Sequence, residues 1–173
     1  MEDRVVLIAG TKGHGRRGVL LTRRLMKSLL AKYAQVLEQT SEAVSQAAAG
    51  HRAEILQMEH VAALSQADQT DGDGEGDHGQ QQRHAPDAVY LATGVTFQQR
   101  DGHILLAFDG VQRNAHGPYG TGKEPVVGFV MDRTTAYKVL AMLQDKAQEA
   151  GWDLPKPSGW TDKLQQAKAS TVN

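Results

Sequence analysis

Apolar side chains recur every three or four positions from about residue 19 to residue 49, which predicts an amphipathic helix. A second, weaker helical pattern runs from about residue 52 to residue 66, and Gly50 separates the two. A β-branched apolar run at 4–9 is typical of a strand or a docked extended segment, and glycines up to Gly18 interrupt regular structure after it. We therefore predict a helical arm over residues 1–66, made of one long helix or two paired helices.

The next segment, residues 67–87, is acidic and rich in Gly and Gln. Residues 67–86 contain no Val, Leu, Ile, Met or aromatic residue. Such a stretch cannot bury enough apolar surface to offset the entropy lost on ordering. The composition predicts an acidic, disordered-like linker.

The hydrophobic pattern changes again after residue 88. Strand-like runs at 89–98, 103–108 and 126–131 are joined first by the hairpin signal Asp101-Gly102 and then by a glycine-rich loop. A helical stripe follows from about residue 135 to residue 150, with Asp132 or Thr134 as its cap and Gly151 at its end. The prediction for 88–152 is a small antiparallel three-stranded sheet packed with one helix, and 153–173 reads as a Pro-broken polar tail. The predicted fold class is α+β.

The amino-acid composition excludes several kinds of functional site. The 173 residues include no cysteine, which excludes disulfides, thiolate metal sites, iron–sulfur clusters and a cysteine nucleophile. The apolar runs are far shorter than the roughly 20 residues of a membrane-spanning helix, and the first residues lack the apolar core of a signal peptide. We expect a cytoplasmic protein with no membrane partner.

The formal net charge of -1 conceals a strong segregation along the chain. Residues 1–36 carry eight Lys and Arg against two acids, and residues 37–88 carry two against ten. Residues 89–173 are nearly balanced, with nine basic and eight acidic residues. Asymmetry of this kind favours an interaction segment or pairing between the segments.

A glycine motif gives the first candidate site. Gly13, Gly15 and Gly18 satisfy G-x-G-x-x-G after a strand-like run, and Arg16 and Arg17 could add positive charge for a phosphate. A dinucleotide-binding fold also requires a second strand that ends in an acidic residue, and further βαβ units, and the sequence shows neither. The alternative is a glycine hinge before a basic helix.

A long loop gives the second candidate. Its segment 117–123 matches G-x-x-x-x-G-K, but Glu124 and Pro125 follow instead of a hydroxyl residue and a helix, so a phosphate-cradling loop is disfavoured. Long loops are often binding loops, however. The candidate ligand residues in it are Arg113, His116, Tyr119 and Lys123.

The sequence gives little support for a metal site or a catalytic site. The alternating acids of 71–78 resemble the start of a calcium loop, but Gln82 stands where a bidentate Glu is required. The seven histidines show no ligand spacing, and no catalytic constellation is visible. We predict no metal site and no cofactor. Enzyme activity is left open, with a non-enzymatic role favoured.

The helical arm is the preferred functional segment. Its apolar stripe could bind a protein partner or a second copy, and comprises Leu21, Leu25, Met26, Leu29, Tyr33 and Val36. Its basic side chains could instead neutralise nucleic-acid phosphates, and comprise Lys12, Arg16, Arg17, Arg23, Arg24 and Lys27. The first hypothesis is a non-enzymatic accessory or assembly subunit acting through the amphipathic helices. The alternatives are a nucleic-acid-binding regulator using residues 12–32 and a nucleotide-binding enzyme using the Gly13–Gly18 turn.

Overall fold

The computed structural model describes residues 4–11, 15–70, 85–113, 120 and 122–155, with the backbone alone for residue 11 and residues 67–70. Most of the predicted linker, the centre of the long loop and the polar tail from residue 156 lie outside the described residues. The strands are β1 (Arg4–Thr11), β2 (Gly15–Thr22), β3 (Ala88–Arg100), β4 (His103–Gln112) and β5 (Glu124–Met131). The helices are α1 (Arg23–Gln39), α2 (Glu42–Gln46), α3 (Arg52–Thr70) and α4 (Arg133–Glu149), with a 3-10 turn at Ala49–His51.

The five strands form one mixed sheet in the order β1-β2-β3-β4-β5. Neighbouring strands are antiparallel except β2 and β3, which run parallel after a crossover through α1, α2 and α3. The predicted fold is therefore wrong in two respects. The sheet has five strands instead of three. Helix α1 packs on this sheet and α3 packs on α4, so the helices that follow β2 do not form an N-terminal arm.

The error has a physical origin in β2. Val19, Leu20 and Leu21 are all buried and form an unbroken apolar run, without the alternation of apolar and polar residues that identifies a strand with one exposed face. Leu21 also stands four residues before Leu25, which is the spacing of residues on one face of a helix. In the sequence, the end of β2 therefore looks like part of α1. The helix itself begins after Thr22, whose hydroxyl accepts a hydrogen bond from the Leu25 amide at 3.2 Å.

One face of the sheet is covered by helices. Helix α1 lies over β2 and β3, while α4 packs against α1, α3, β4 and β5. Tyr33 of α1 meets Phe97 of β3 edge to face, with ring centroids 5.1 Å apart. The α1 side of this core is formed by the buried residues Met26, Leu29, Leu30, Tyr33, Ala34 and Leu37.

The local signals in the second half are confirmed. Asp101 and Gly102 both have positive φ, 51° and 76°, and connect β3 to β4 as the turn that Asp-Gly favours. Asp132 caps α4 by accepting a hydrogen bond from the Thr135 amide at 2.7 Å. Gly151 ends the helix at φ 70°, and the next amide, of Trp152, donates to the Ala147 carbonyl at 3.0 Å.

The opposite face of the sheet bears no helix in the part of the chain that the structure describes. None of the helices formed by those residues is long and apolar enough to cross a lipid bilayer.

Candidate protein-interaction surface

A row of aliphatic side chains crosses four strands on the face of the sheet that points away from the helices, which we call the open face. Directly paired residues of neighbouring strands share a face. Val6 pairs with Leu20, Leu20 with Leu91, and Leu91 with Val111. The alternate residues of β2, Val19 and Leu21, belong to the helix-side core, which places the row on the open face.

The open face exposes apolar surface to solvent. Val6 and Ile8 of β1 are 51% and 49% exposed, and Val130 of β5 is 70% exposed. Leu20, at the centre of the row, is only 5% exposed, yet it is not part of the helix-side core. The sheet therefore carries a second apolar layer beside the one that packs on α1 and α4.

The middle of the open face is more polar. Asp109 pairs with Gly94 across β3 and β4, and its carboxylate lies 3.4 Å from the Nζ of Lys123. Lys123 is more than half exposed, so this ion pair contributes little to stability. It divides the aliphatic row of β1 to β4 from the exposed Val130.

The two outer strands of the sheet differ. β5 contains Pro125, and a register shift interrupts its pairing with β4 between Phe108 and Asp109. β1 pairs with β2 without any shift over its eight residues and carries one charged residue, Arg4, at its start. Proline and irregular pairing protect a sheet edge against strand addition, and β1 has neither.

A polar cluster joins the helices on the other side of the molecule. The Arg133 guanidinium donates to the Glu59 carboxylate at 2.6 Å and 2.9 Å and to the Thr40 hydroxyl at 2.8 Å. The Tyr137 hydroxyl donates to Glu59 at 2.7 Å, and the Ser41 hydroxyl donates to it at 2.8 Å. Because Glu59 is held by three different side chains, the cluster ties α3 to α4 and to the segment between α1 and α2.

The same contacts shift two pKa values. Burial by itself would raise the pKa of Glu59, but hydrogen bonds from Tyr137, Arg133 and Ser41, together with the charge of Arg133, hold it below its ordinary value. Burial, and then the hydrogen bond to Glu59, raise the pKa of Tyr137 well above its ordinary value. Both shifts favour an ionised Glu59 beside a neutral Tyr137, which is a structural arrangement and offers no group poised for proton transfer near neutral pH.

The predicted apolar stripe is used inside the chain. Met26, Leu29 and Tyr33 are buried in the helix-side core, and Leu25 and Val36 are partly buried against it. Leu21 is buried too, in β2 instead of a helix. The structure thus gives the stripe an intramolecular role.

The predicted basic arm is distributed over two elements. Lys12 lies outside the described residues. Arg16 and Arg17 belong to β2, where the Arg17 guanidinium donates to the Val126 carbonyl and lies 5.7 Å from the centre of the Tyr90 ring. The exposed basic residues at the start of α1 are Arg23, Arg24 and Lys27.

The glycine motif and the candidate loop are only partly described. Gly15 and Gly18 lie in β2, within a strand and not at the N-terminus of a helix, so the context of a dinucleotide-binding turn is missing there. Arg113 and Lys123 are exposed, and His116 and Tyr119 lie outside the described residues. The candidate ligand loop therefore stays a prediction.

The open-face residues escaped the sequence prediction. One signal was present, because the apolar run at 4–9 supplies side chains to both faces of a strand, whereas an outer strand with one covered face needs only alternate apolar residues. Comparison with protein-family models, with curated proteins and with solved structures gives no match.

Proposed function

We propose that this chain is a non-enzymatic accessory or assembly subunit that binds protein, either a second copy of itself or another chain, through the open face of its sheet. The observation that supports the proposal is the exposure of Val6, Ile8 and Val130 on the open face, which bears no helix among the described residues. Val6 and Ile8 are alternate residues of β1 and lie next to each other on this face, and adjoining exposed apolar side chains on a globular domain are characteristic of an interaction site. The surface proposed differs from the helical stripe because that stripe is buried.

The chemistry of the open face suits a protein better than a small molecule. Small-molecule sites are concave and carry a few convergent polar groups that orient the ligand. From Val6 through Leu20 and Leu91 to Val111 the row is aliphatic throughout. Aliphatic side chains of this kind are complementary to another apolar protein surface, which they can pack against and shield from water.

Site-specific photocrosslinking tests the proposal. A photoreactive amino acid is placed at Ile8 or Val130 on the open face and, as matched controls, at the exposed helix positions Gln35 and Ser45. In cells that naturally produce the chain, we expect discrete protein adducts from the open-face positions and at least fivefold fewer from the controls. Adducts that are absent, or equally abundant at all four positions, would contradict the proposal.

A second candidate function is nucleic-acid binding through α1. It is favoured by the exposure of Arg23, Arg24 and Lys27 on the first two turns of that helix. If these residues contact phosphates, affinity for duplex DNA or RNA should fall steeply between about 50 and 200 mM salt. Fluorescence anisotropy with the unaltered chain and the triple Ala variant measures this, and a weak, salt-independent signal removes the candidate.

A further inference from the structure

We infer that the partner is a second copy of this chain, and that two copies pair their β1 strands antiparallel to form one continuous sheet. The inference rests on the proposed function and adds to it the identity of the partner and the geometry of the contact.

The backbone groups of Val6 and Ile8 point to the free side of β1. The Arg16 carbonyl accepts a hydrogen bond from the Asp87 amide at 2.8 Å, and the Arg16 amide donates to the Asp87 carboxylate at 2.7 Å. The backbone carbonyl and amide of Arg16 are therefore directed toward β3. Along a strand, the amide and carbonyl groups of successive residues are directed alternately to one neighbouring strand and to the other. Those of Arg17 and Val19 are therefore directed toward β1. Their partners are Ala9 and Leu7, and the intervening Val6 and Ile8 therefore face outward.

Of the two outer strands that the structure describes, β1 is the one suited to strand addition. Pro125 removes an amide donor from β5, and the register shift beside it makes that edge irregular. β1 is regular, aliphatic over five consecutive residues and unpaired along its outer side by any strand that the structure describes. A long apolar edge without proline, bulge or central charge is the kind that recruits another strand.

The sequence of β1 is complementary to itself in the antiparallel direction. With a two-fold axis through Leu7, Val6 lies opposite Ile8 of the second copy, and the two residues exchange both backbone hydrogen bonds. Val5 then lies opposite Ala9, and Arg4 opposite Gly10, so no like charges meet. The same axis places the helical layers on one side and joins the two open faces on the other.

The inferred pairing makes the exposed residues part of a larger apolar surface. Val6 and Ile8 of each copy come together at the centre of the joined sheet, flanked on both sides by the row that contains Leu20 and Leu91. Face-to-face stacking of two open faces would also bury these residues. It would depend on Val130 and would leave the outward amides of β1 unpaired, which makes the two arrangements separable by experiment.

Proline substitution tests the edge directly. Val6→Pro and Ile8→Pro each remove an outward amide donor and leave the β1–β2 hydrogen bonds in place. The control is Gln35→Lys, a change at an exposed position of α1 and away from the open face. Sedimentation velocity of the full chain should give a mass near twice 18.8 kDa for the unaltered protein and for the control. We expect the proline variants to sediment as monomers with unchanged circular dichroism.

Cysteine pairing tests the register even if the proline variants fail to fold. The native chain has no cysteine, so each introduced thiol is unique. A mixture of Val6→Cys and Ile8→Cys chains should form disulfide-linked dimers at least tenfold faster than either chain alone, because only the mixture places the two thiols opposite each other. Equal rates would overturn the register and with it the inference.

The remaining outcomes separate this inference from the proposed function. A chain that is monomeric at all concentrations overturns the inference, while adducts from the photoreactive Ile8 position would still support binding to another protein. Dimers lost in Val130→Lys and retained in both proline variants indicate stacked faces. That result overturns edge pairing and preserves assembly through the open face.

Discussion

The guanidinium of Arg133 lies 2.6 Å from the carboxylate of Glu59, and this ion pair joins the first turn of α4 to the middle of α3. The same guanidinium also donates to the Leu37 carbonyl at 2.6 Å, near the end of α1. A carbonyl in the last turn of a helix has no partner within the helix, so Arg133 satisfies one of these groups on α1. One side chain thereby fixes three helices relative to one another.

Arg133→Ala should be strongly destabilising. It removes the hydrogen bonds to Glu59, Thr40 and Leu37 and leaves the Glu59 carboxylate without its positive partner. We expect the free energy of unfolding to fall by about 2 to 4 kcal/mol, somewhat below the cost for a fully buried pair because each side chain is 26% exposed. Urea denaturation measures the loss, and Arg24→Ala, at an exposed position, should change it by less than about 0.5 kcal/mol.

The Glu59 contacts also predict a pH dependence. Since the folded-state pKa of Glu59 is lowered, its contribution is present above the ordinary value of 4.5 and is lost as the pH falls through the folded pKa. The unaltered chain should exceed Glu59→Gln in stability at pH 7, and the difference should shrink as the pH falls below 4.5. Urea denaturation of both proteins at several pH values measures it. A difference that is constant with pH would argue against an ionised Glu59 in the cluster.

Gly110→Ala should disturb the centre of the sheet. A Cβ at this position of β4 would lie 2.7 Å from the Leu91 carbonyl oxygen, which is backbone and cannot move aside cheaply. We expect a loss of about 1 to 3 kcal/mol in thermal or chemical unfolding. Gly128→Ala is the matched control in the neighbouring strand, because its Cβ would meet no atom closer than 3.9 Å. Equal effects of the two changes would contradict this explanation.

Gly151→Ala should weaken the end of α4. Gly151 has φ 70°, a left-handed conformation that costs an L-residue about 1 kcal/mol. The melting temperature should fall accordingly. Gly50→Ala serves as the control, since Gly50 has no positive φ and its Cβ would meet nothing within 4 Å, so its effect should be neutral or slightly stabilising.

Local signals made part of the fold predictable. The Asp101-Gly102 turn, the Asp132 cap and the Gly151 end depend on a few neighbouring residues, and each is where the sequence predicts it. The parallel pairing of β2 with β3 depends on residues such as Leu20 and Leu91, which are far apart in the chain. No local pattern encodes that contact, and the three-stranded prediction failed at this point.

The candidate surface was harder to predict than the fold. Val6 and Ile8 stand out only when the helices are known to cover the other face of β1, because an isolated apolar run does not reveal which side is buried. The Glu59 and Arg133 pair joins residues 74 positions apart. Met58, the residue before Glu59 on α3, is 71% exposed, so the apolar residue of the two faces solvent while the acid faces the cluster.

The parallel contact between β2 and β3 has a consequence for how the chain folds. β3, β4 and β5 are joined by short-range antiparallel contacts, and so are β1 and β2. Uniting them requires closure of the chain between Thr22 and Ala88, which carries a large entropic cost before any contact compensates for it. The rate of folding should therefore be set by the docking of two locally formed halves, with mutations at Leu20 or Leu91 slowing folding more than mutations within the β3–β4 turn.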